Sequence, residues 1–380
     1  MLADYSMRNP DVTPAATDPK LSVDIIKRLD GFTLQARLEA SPGFTMLLGP
    51  SGGGKTTLLN CIAGLLRPDS GRVAIGSTVL FDSASRIDLP VEQRRLGYVF
   101  QALALFPHMT VEENVRYGIA KLPAARREQR IKSMLKSFRI SHLAAHKVTA
   151  ISGGERQRTA LARSLVTDPR ALLLDEPLTA LDLATKSKIL EDLREWNAAH
   201  SIPIVFVTHS PQEAFALGER VVMIEAGEVI AQGAPHEVLT SPRHQTVAQI
   251  VGFENMFDAT VVEMHEHHGT MICQLGLSEC RLEVPLISTS PGAAVRIAIR
   301  AGDVMIAAEP PRGLSARNVL SGRIRAIRRE GVTVILAVDV GVDFEVHVTP
   351  SALEELGLVP GQQIWLVIKT YSCNLVEPRA

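Results

Sequence analysis

A glycine-rich octapeptide, GPSGGGKT, runs from Gly49 to Thr56. It follows a short apolar segment, 44–48, and precedes a helix-like run that begins at Lys55. Glycines allow successive backbone N–H groups to face a phosphate, and a helix N-terminus favours negative charge. In this context the pattern GxxxxGK[ST] predicts a nucleotide-binding P-loop. We expect Lys55 to reach the β- and γ-phosphates and Thr56 to bind Mg²⁺. The predicted ATP contacts in this loop are Gly49, Pro50, Ser51, Gly52, Gly53, Gly54, Lys55, Thr56 and Thr57.

An acidic pair ends a second apolar run, in the segment ALLLDEP over residues 171–177. In open α/β sheets, nucleotides bind at the carboxyl ends of the strands. Asp175 is therefore predicted to hold Mg²⁺. Glu176 follows it directly and is the natural general base for a hydrolytic water.

The segment ISGGE, residues 151–155, has the pattern of a helix start. Ser152 is a typical N-cap, and Glu155 three residues later completes a capping box. The two glycines between them leave exposed backbone N–H groups. The residues alone leave two interpretations open: an ordinary capped helix, or a second anion-binding helix N-terminus.

Together these segments resemble the ATP-binding subunits of ATP-binding cassette (ABC) transporters, over residues 21–240. ISGGE is similar to the LSGGQ signature of that family, with Ile151 for Leu and Glu155 for Gln. The resemblance implies ATP contacts for Ser152, Gly153 and Gly154 and for Asp182 of the segment TALD, 179–182. It also implies catalytic roles for Gln101, which would share in Mg²⁺ binding, and for His209. Phe32 is the nearest candidate to stack on adenine; a core aromatic is the alternative.

The C-terminal part resembles the molybdopterin-type (Mop, TOBE-related) domain, through SARNVLSG at 315–322 and WLVIKT at 365–370. The chain also resembles molybdate importer ATPases along its full length. The resemblance implies a cytoplasmic molybdate or tungstate ligand; a purely structural β-module is the alternative. The candidate oxyanion contacts are Ser315, Ala316, Arg317, Asn318, Lys369 and Thr370.

The predicted fold class is an α/β P-loop ABC ATPase domain with a helical subdomain, followed by a small all-β, OB-like domain. We predict a flexible tail over 1–20, an ATP-binding domain over 21–240 and a linker over 241–254. Short Val/Ile-rich stretches then predict a β-rich regulatory domain over 255–380. The helical subdomain is expected at about 102–165, and a hairpin at 21–40 around Asp30-Gly31. Two β stretches, 255–311 and 314–376, are of similar length and could be related halves.

The composition narrows the function classes. Lys and Arg total 40 and Asp and Glu 41, which gives no overall basic field for nucleic acid. No uncharged apolar run approaches the roughly 18 residues that span a bilayer. The N-terminus lacks the apolar region of a secretory signal. The four cysteines form no CxxC pair and are expected to be reduced, buried thiols of the cytoplasm.

The resemblance implies a homodimer in which each ATP lies between the P-loop of one copy and the signature helix of the other. It implies separate transmembrane permease subunits, an external oxyanion-binding protein, and a peripheral position at the cytoplasmic face of the inner membrane. We expect ATP hydrolysis to drive import of an oxyanion, and the resemblance implies molybdate. Alternatives are the same motor for sulfate, thiosulfate, ferric iron, a polyamine or a sugar, a non-transport ABC ATPase, and a soluble oxyanion store.

Overall fold

The protein is described from a computed structural model. The structure describes residues 19–376, apart from residues 121, 180 and 241–243. For Leu183 it describes only the backbone. The chain divides into two compact units, and the boundary lies between Pro235 and His236. Most of the predicted tail, Ala180 of the TALD segment, and the first three residues of the predicted linker lie outside the described residues. Residues 245–250 of that linker form a short helix.

The first unit, called here the nucleotide unit, is built on one sheet of eleven strands. Its strands are β1 (Leu21–Leu29), β2 (Phe32–Ala40), β3 (Gly43–Leu48), β4 (Ser70–Ile75), β5 (Thr78–Asp82), β6 (Ile87–Asp88), β7 (Leu96–Val99), β8 (Ala171–Asp175), β9 (Pro203–Val207), β10 (Arg220–Glu225) and β11 (Glu228–Gly233). Their spatial order is β6-β5-β4-β1-β2-β11-β10-β3-β9-β8-β7. The predicted hairpin at Asp30-Gly31 is confirmed, since β1 pairs with β2 in antiparallel register.

The strands β10, β3, β9, β8 and β7 pair in parallel, as the alternation of strands and helices predicts. Strands β3, β8 and β9 are buried along their whole length. Continuous apolar strands of this kind are typical of parallel sheets that are covered on both faces. The carboxyl ends of β3 and β8 carry the glycine-rich loop and the acidic pair, so the sheet brings both motifs to one edge.

The helices of the nucleotide unit follow the sequence signals closely. Ser152 forms the predicted capping box with Glu155, and Thr110 forms a second one with Glu113. The buried Arg94 guanidinium donates to the carbonyls of Cys61 and Ile62, in the last turn of the helix after the glycine-rich loop. The helices are α1 (Lys55–Ala63), α2 (Val91–Arg94), α3 (Val111–Tyr117), α4 (Ala124–Ser137), α5 (Gly153–Leu165), α6 (Leu183–His200) and α7 (Pro211–Leu217), and α8 (Pro235–Leu239) spans the boundary between the units.

The second unit, called here the β unit, contains two five-stranded sheets. The first has the order β14-β13-β12-β15-β21 and the second the order β19-β18-β17-β20-β16, read from its other edge. The elements are α9 (Gln245–Ile250), β12 (Asn255–His265), β13 (Thr270–Leu275), β14 (Arg281–Pro285), β15 (Ala294–Ile299), β16 (Met305–Ala307), β17 (Asn318–Glu330), β18 (Thr333–Asp339), β19 (Asp343–Val348), α10 (Pro350–Glu355), β20 (Gln363–Ile368) and β21 (Asn374–Val376).

The two sheets repeat one topology. We call β12–β15 the first half and β17–β20 the second half. Each half places its strands in the same order, and its long first strand carries an irregularity in the register with the second. The strand that follows each half completes the sheet of the other half: β16 pairs with β20, and β21 pairs with β15. The β stretches that the sequence separates are therefore related halves with exchanged terminal strands.

Two asparagines join the halves by equivalent pairs of hydrogen bonds. The Asn255 side chain bonds the backbone N–H and carbonyl of Glu345, at 2.7 and 2.8 Å. The Asn318 side chain bonds the same two groups of Glu283, at 2.7 and 2.9 Å. Both asparagines are buried and begin the first strand of their half, so the cross-links follow the repeat.

Two further observations concern membrane-spanning helices and the state of the cysteines. Within the described residues, no helix has both the length and the apolar character that a membrane crossing needs. All four cysteines are free and buried, as the sequence predicts.

Candidate functional site: a nucleotide pocket and a charged turn

The glycine-rich loop wraps the start of α1 in a shape that side chains would obstruct. A Cβ on Gly49, whose φ is 150°, would lie 2.0 Å from the Ile224 carbonyl oxygen. A Cβ on Gly54, whose φ is 104°, would lie 2.8 Å from the Phe32 ring. Only glycine combines these backbone angles with such close approach. The structure therefore brings Phe32, the candidate adenine contact, against the last glycine of the loop.

Lys55 closes this loop on itself. Its ammonium group donates to the carbonyls of Gly49 and Pro50, each at 2.8 Å. The side chain is buried, and this burial lowers its pKa, while the carboxylates of Glu176 and Asp175 act in the opposite direction. The cation thus lies inside the ring of backbone where a phosphate would bind.

The two predicted magnesium ligands from different segments are adjacent. The Thr56 hydroxyl donates to Asp175 Oδ1 over 3.2 Å, which joins the first turn of α1 to the end of β8. Burial raises the pKa of the Asp175 carboxyl, and the neighbouring Glu176 charge adds to this shift. A buried carboxylate of this kind is stabilised by a cation, and a hydroxyl and a carboxylate are oxygen ligands that suit Mg²⁺. The donor set fits that ion.

Glu176 is the centre of a second cluster. Its carboxylate accepts from Gln101 Nε2 over 3.2 Å and forms a short contact with His209 Nε2. The Thr179 hydroxyl donates to its backbone carbonyl over 3.2 Å. Glu176 has φ of 47°, in the left-handed region that non-glycine residues seldom adopt, and such strain is concentrated at functional sites. The fold therefore brings all three predicted catalytic residues together, from three separate segments.

The signature segment takes no part in this cluster. Within the described residues, the Ser152 side chain forms its hydrogen bonds with Glu155. A Cβ on Gly154 would lie 2.6 Å from the methyl group of Thr185, so the start of α5 packs closely on the start of α6. Asp182 caps α6 by accepting from the Thr185 N–H over 3.0 Å. The segments that contain Ser152 and Asp182, both predicted to contact ATP, thus lie next to each other.

Several residues near the site were not singled out from the sequence. Tyr98 donates to Asn60 over 3.1 Å, and its hydroxyl also lowers the pKa of the neighbouring Asp175 carboxyl. Arg163 of α5 donates to the carbonyls of Leu103 and Ala104, just after Gln101. Both acceptor residues have positive φ. These contacts depend on tertiary approach, and no local pattern in the sequence marks them.

The candidate oxyanion residues lie where the strands β17 and β20 meet. Asn318 pairs with Ile368, so Arg317 and Lys369 are the next residues outward on the two strands. Both are exposed, as is Ser315, whereas Ala316 and Thr370 are buried. The Thr370 hydroxyl and the Asn318 side chain both bond to Glu283. The structure therefore brings the two segments of this prediction to one end of the second half.

Comparison with known proteins places both units in established families. The ABC transporter family model matches residues 36–179, and the TOBE domain model matches residues 314–375. The chain is 39% identical over 359 residues to the molybdenum import ATP-binding protein of Paramagnetospirillum magneticum, covering 92% of this chain and 96% of the relative. It is 40% identical over 369 residues to the protein of the same name from Rhizobium meliloti, covering 93% and 99%.

A solved structure agrees with the fold of the nucleotide unit. It is cbiO1 from Clostridium perfringens, part of the ABC transporter complex cbiONQ, at 28% identity and a TM-score of 0.53. The match covers 62% of this chain and 94% of that one. The fold and the site thus define an ABC-type ATP-binding protein with a C-terminal TOBE domain. The chain belongs to the family of the molybdenum import ATP-binding proteins.

Proposed function

We propose that this chain is the ATPase that drives import of molybdate through a separate membrane permease. The observation that carries the proposal is the identity of about 40% to molybdenum import ATP-binding proteins, which extends over 93% of the chain and includes both units. The clustering of Gln101, Glu176 and His209 beside the P-loop supports hydrolysis as well as binding of the nucleotide.

In this proposal Lys55 exchanges its two carbonyl acceptors for the β- and γ-phosphates of ATP. The backbone N–H groups of the glycine-rich loop and the N-terminus of α1 contribute the remaining anion contacts. Thr56, Asp175 and Gln101 would hold Mg²⁺, which when bound neutralises charge on the phosphates. Phe32 would contact the adenine, since its ring lies against Gly54.

Glu176 takes the proton of the attacking water in the proposed reaction. Its carboxylate has acceptor capacity, and Gln101 and His209 hold it in place. His209 is a donor that can orient the γ-phosphate, because its ring is partly exposed beside Glu176. The cleft next to this cluster has a volume of about 220 Å³ and is lined in part by Thr179, Lys186 and His209.

The proposed assembly contains two copies of the chain. Ser152, Gly153 and Gly154 make no hydrogen bond with the P-loop of their own chain within the described residues, in keeping with contacts to ATP held by the partner. The permease subunits and an external oxyanion-binding protein would be other chains. We place the ATPase peripherally, at the cytoplasmic face of the inner membrane. The segment after Gln101, with Leu105 to Thr110, would contact the permease.

The β unit is proposed to bind cytoplasmic molybdate or tungstate. Arg317 and Lys369 offer positive charge, and Ser315 offers a hydroxyl donor. Backbone N–H groups near Ala316 and Thr370 would complete the contacts, with Asn318 holding the strand in place. Neutral donors with one or two cations suit a tetrahedral oxyanion.

Uptake of labelled molybdate tests the proposed function. We expect cells that lack the protein to regain uptake with the wild-type chain and with Lys188→Ala, an exposed lysine on α6. Lys55→Ala should not restore it, because the phosphate-binding cation is lost. Labelled sulfate is the parallel arm. Restoration of sulfate uptake without molybdate uptake would assign the motor to the other cargo.

A further inference from the structure

The two halves of the β unit allow corresponding positions to be compared within one chain. Asn255 pairs with Ile299 in the first half, as Asn318 pairs with Ile368 in the second. One step outward on both strands, the first half has Glu254 and Arg300. The second half has two cations at the equivalent positions. In each half the strand then enters a short 3-10 helix, at 301–303 and 370–372.

In the first half the chain itself supplies an anion to this turn. Glu254 Oε2 accepts a hydrogen bond from the Ala301 N–H over 2.8 Å. The Arg300 guanidinium lies 4.6 Å from the centre of the Phe253 ring, a cation–π distance. The first backbone N–H of the turn therefore already donates to an anion, and the facing cation lies on an aromatic ring.

In the second half the corresponding groups have no such partner. Arg317 and Lys369 form no hydrogen bond or ion pair through their side chains within the part of the chain that is described, and the Thr370 N–H donates to no group there. The Glu283 carboxylate accepts from the Thr370 hydroxyl over 3.4 Å, but it is not within ion-pair distance of either cation. Like charges that face each other on paired strands are destabilising, and a bound anion relieves this repulsion.

We propose that the Glu254 carboxylate occupies, in the first half, the position that a tetrahedral oxyanion takes in the second half. Each chain then has one oxyanion site, between Arg317 and Lys369, and one equivalent turn that is closed by its own side chain. The inference rests on the proposed function for the choice of molybdate as ligand. It goes further by assigning different roles to the two halves and a stoichiometry to the β unit.

Calorimetric titration of the full-length protein with sodium molybdate tests this assignment. We expect one molybdate per wild-type chain and two per chain for Glu254→Arg, which gives the first half the two cations of the second. Glu330→Arg is the matched control. It makes the same change of charge at an exposed residue of the β17–β18 hairpin, and it should still bind one molybdate.

Two further variants test the inference even if Glu254→Arg does not fold. Glu254→Ser frees the Ala301 N–H without adding a cation, and we expect a second, weaker binding event. Lys369→Ala should weaken the wild-type site at least tenfold. Sodium sulfate and sodium phosphate, titrated in parallel, distinguish a molybdate site from a general anion site.

The inference would be overturned by two molybdates per wild-type chain, or by an unchanged stoichiometry in both Glu254 variants while circular dichroism shows an intact fold. Absence of binding in every protein also refutes it. These outcomes are separable from failure of the proposed function, because the titration needs no ATP and no permease. Molybdate uptake that persists without calorimetric binding would leave the motor assignment intact.

Discussion

The nucleotide unit and the β unit build their candidate sites in different ways. In the nucleotide unit the key residues follow the carboxyl ends of strands such as β3 and β8, and each belongs to a short contiguous motif. In the β unit the candidate site is defined by strand register. Arg317 and Lys369 are far apart in sequence and meet because β17 pairs with β20. The site of the nucleotide unit can therefore be predicted from sequence motifs. The site of the β unit depends on which charged residues the strand pairing places opposite each other.

The two sites also differ in whether their charged side chains have partners within the chain before any ligand binds. Lys55 is held by two carbonyls and Asp175 by a hydroxyl, so the nucleotide site is internally bonded. The turn of the second half leaves its cations exposed to solvent. A site of the first kind exchanges internal contacts for ligand contacts. A site of the second kind gains contacts that were absent.

The largest expected effect is a loss of ATP hydrolysis that leaves the binding of ATP and of molybdate intact. Glu176→Gln keeps the size of the side chain but removes the acceptor for the water proton, so we expect ATP turnover to fall by about 10²- to 10⁴-fold. ATP binding and molybdate binding should be unchanged. Turnover of the purified complex and calorimetry measure these quantities, with Glu92→Gln on the exposed side of α2 as the control. Near-normal turnover would remove Glu176 from the proposed mechanism.

The next effect tests whether the halves of the β unit are equivalent. Asn255→Ala and Asn318→Ala each remove the two hydrogen bonds to a glutamate backbone of the other half, with an expected loss of about 2 kcal/mol. Hydrogen exchange of the Glu345 and Glu283 amides, respectively, should accelerate by roughly 30-fold, since that factor corresponds to the same free energy. Asn374→Ala, whose side chain donates to the carbonyl of nearby Ser372, is the control. A large effect in one half alone would contradict the repeat.

The smallest expected effect concerns pH and the raised pKa of Asp175. Protonation of this carboxyl competes with Mg²⁺, so the free Mg²⁺ needed for half-maximal turnover should rise as the pH falls, up to about tenfold per unit below that pKa. Tyr98→Phe removes a hydroxyl that lowers the pKa of Asp175, so its profile should shift to higher pH. Tyr117→Phe, an exposed tyrosine on α3, should leave the profile unchanged. Coincident profiles would contradict the role of Tyr98, and a Mg²⁺ requirement that does not change with pH would separate Asp175 from metal binding.

Much of the nucleotide unit could be predicted from the sequence because its signals are local. The strand, glycine-rich loop and helix at 43–63 are as expected, and so is the capping box of Ser152. The convergence of Gln101 and His209 on Glu176 came from family resemblance, and no local pattern contains it. The positive φ of Glu176 and the capping of α1 by Arg94 also depend on tertiary contacts.

The β unit was less predictable for a physical reason. Its repeat is one of topology, and the side chains at equivalent positions differ even in charge, as Glu254 and Arg317 do. Alternating Val and Ile predict strands but do not specify which strands pair. The exchange of β16 and β21 is entirely non-local. The length similarity of 255–311 and 314–376 was the one sequence feature that indicated the relationship.

The exchanged strands have a consequence for biosynthesis. The sheet of the first half is completed by β21, so it stays unfinished on the ribosome until residue 376 has emerged. During that interval β15 presents an unpaired edge, which is the kind of surface that pairs with other chains. The β unit must therefore close in a late step, after translation of the second half, and a nascent chain arrested before β21 would be exposed to misassembly through that edge.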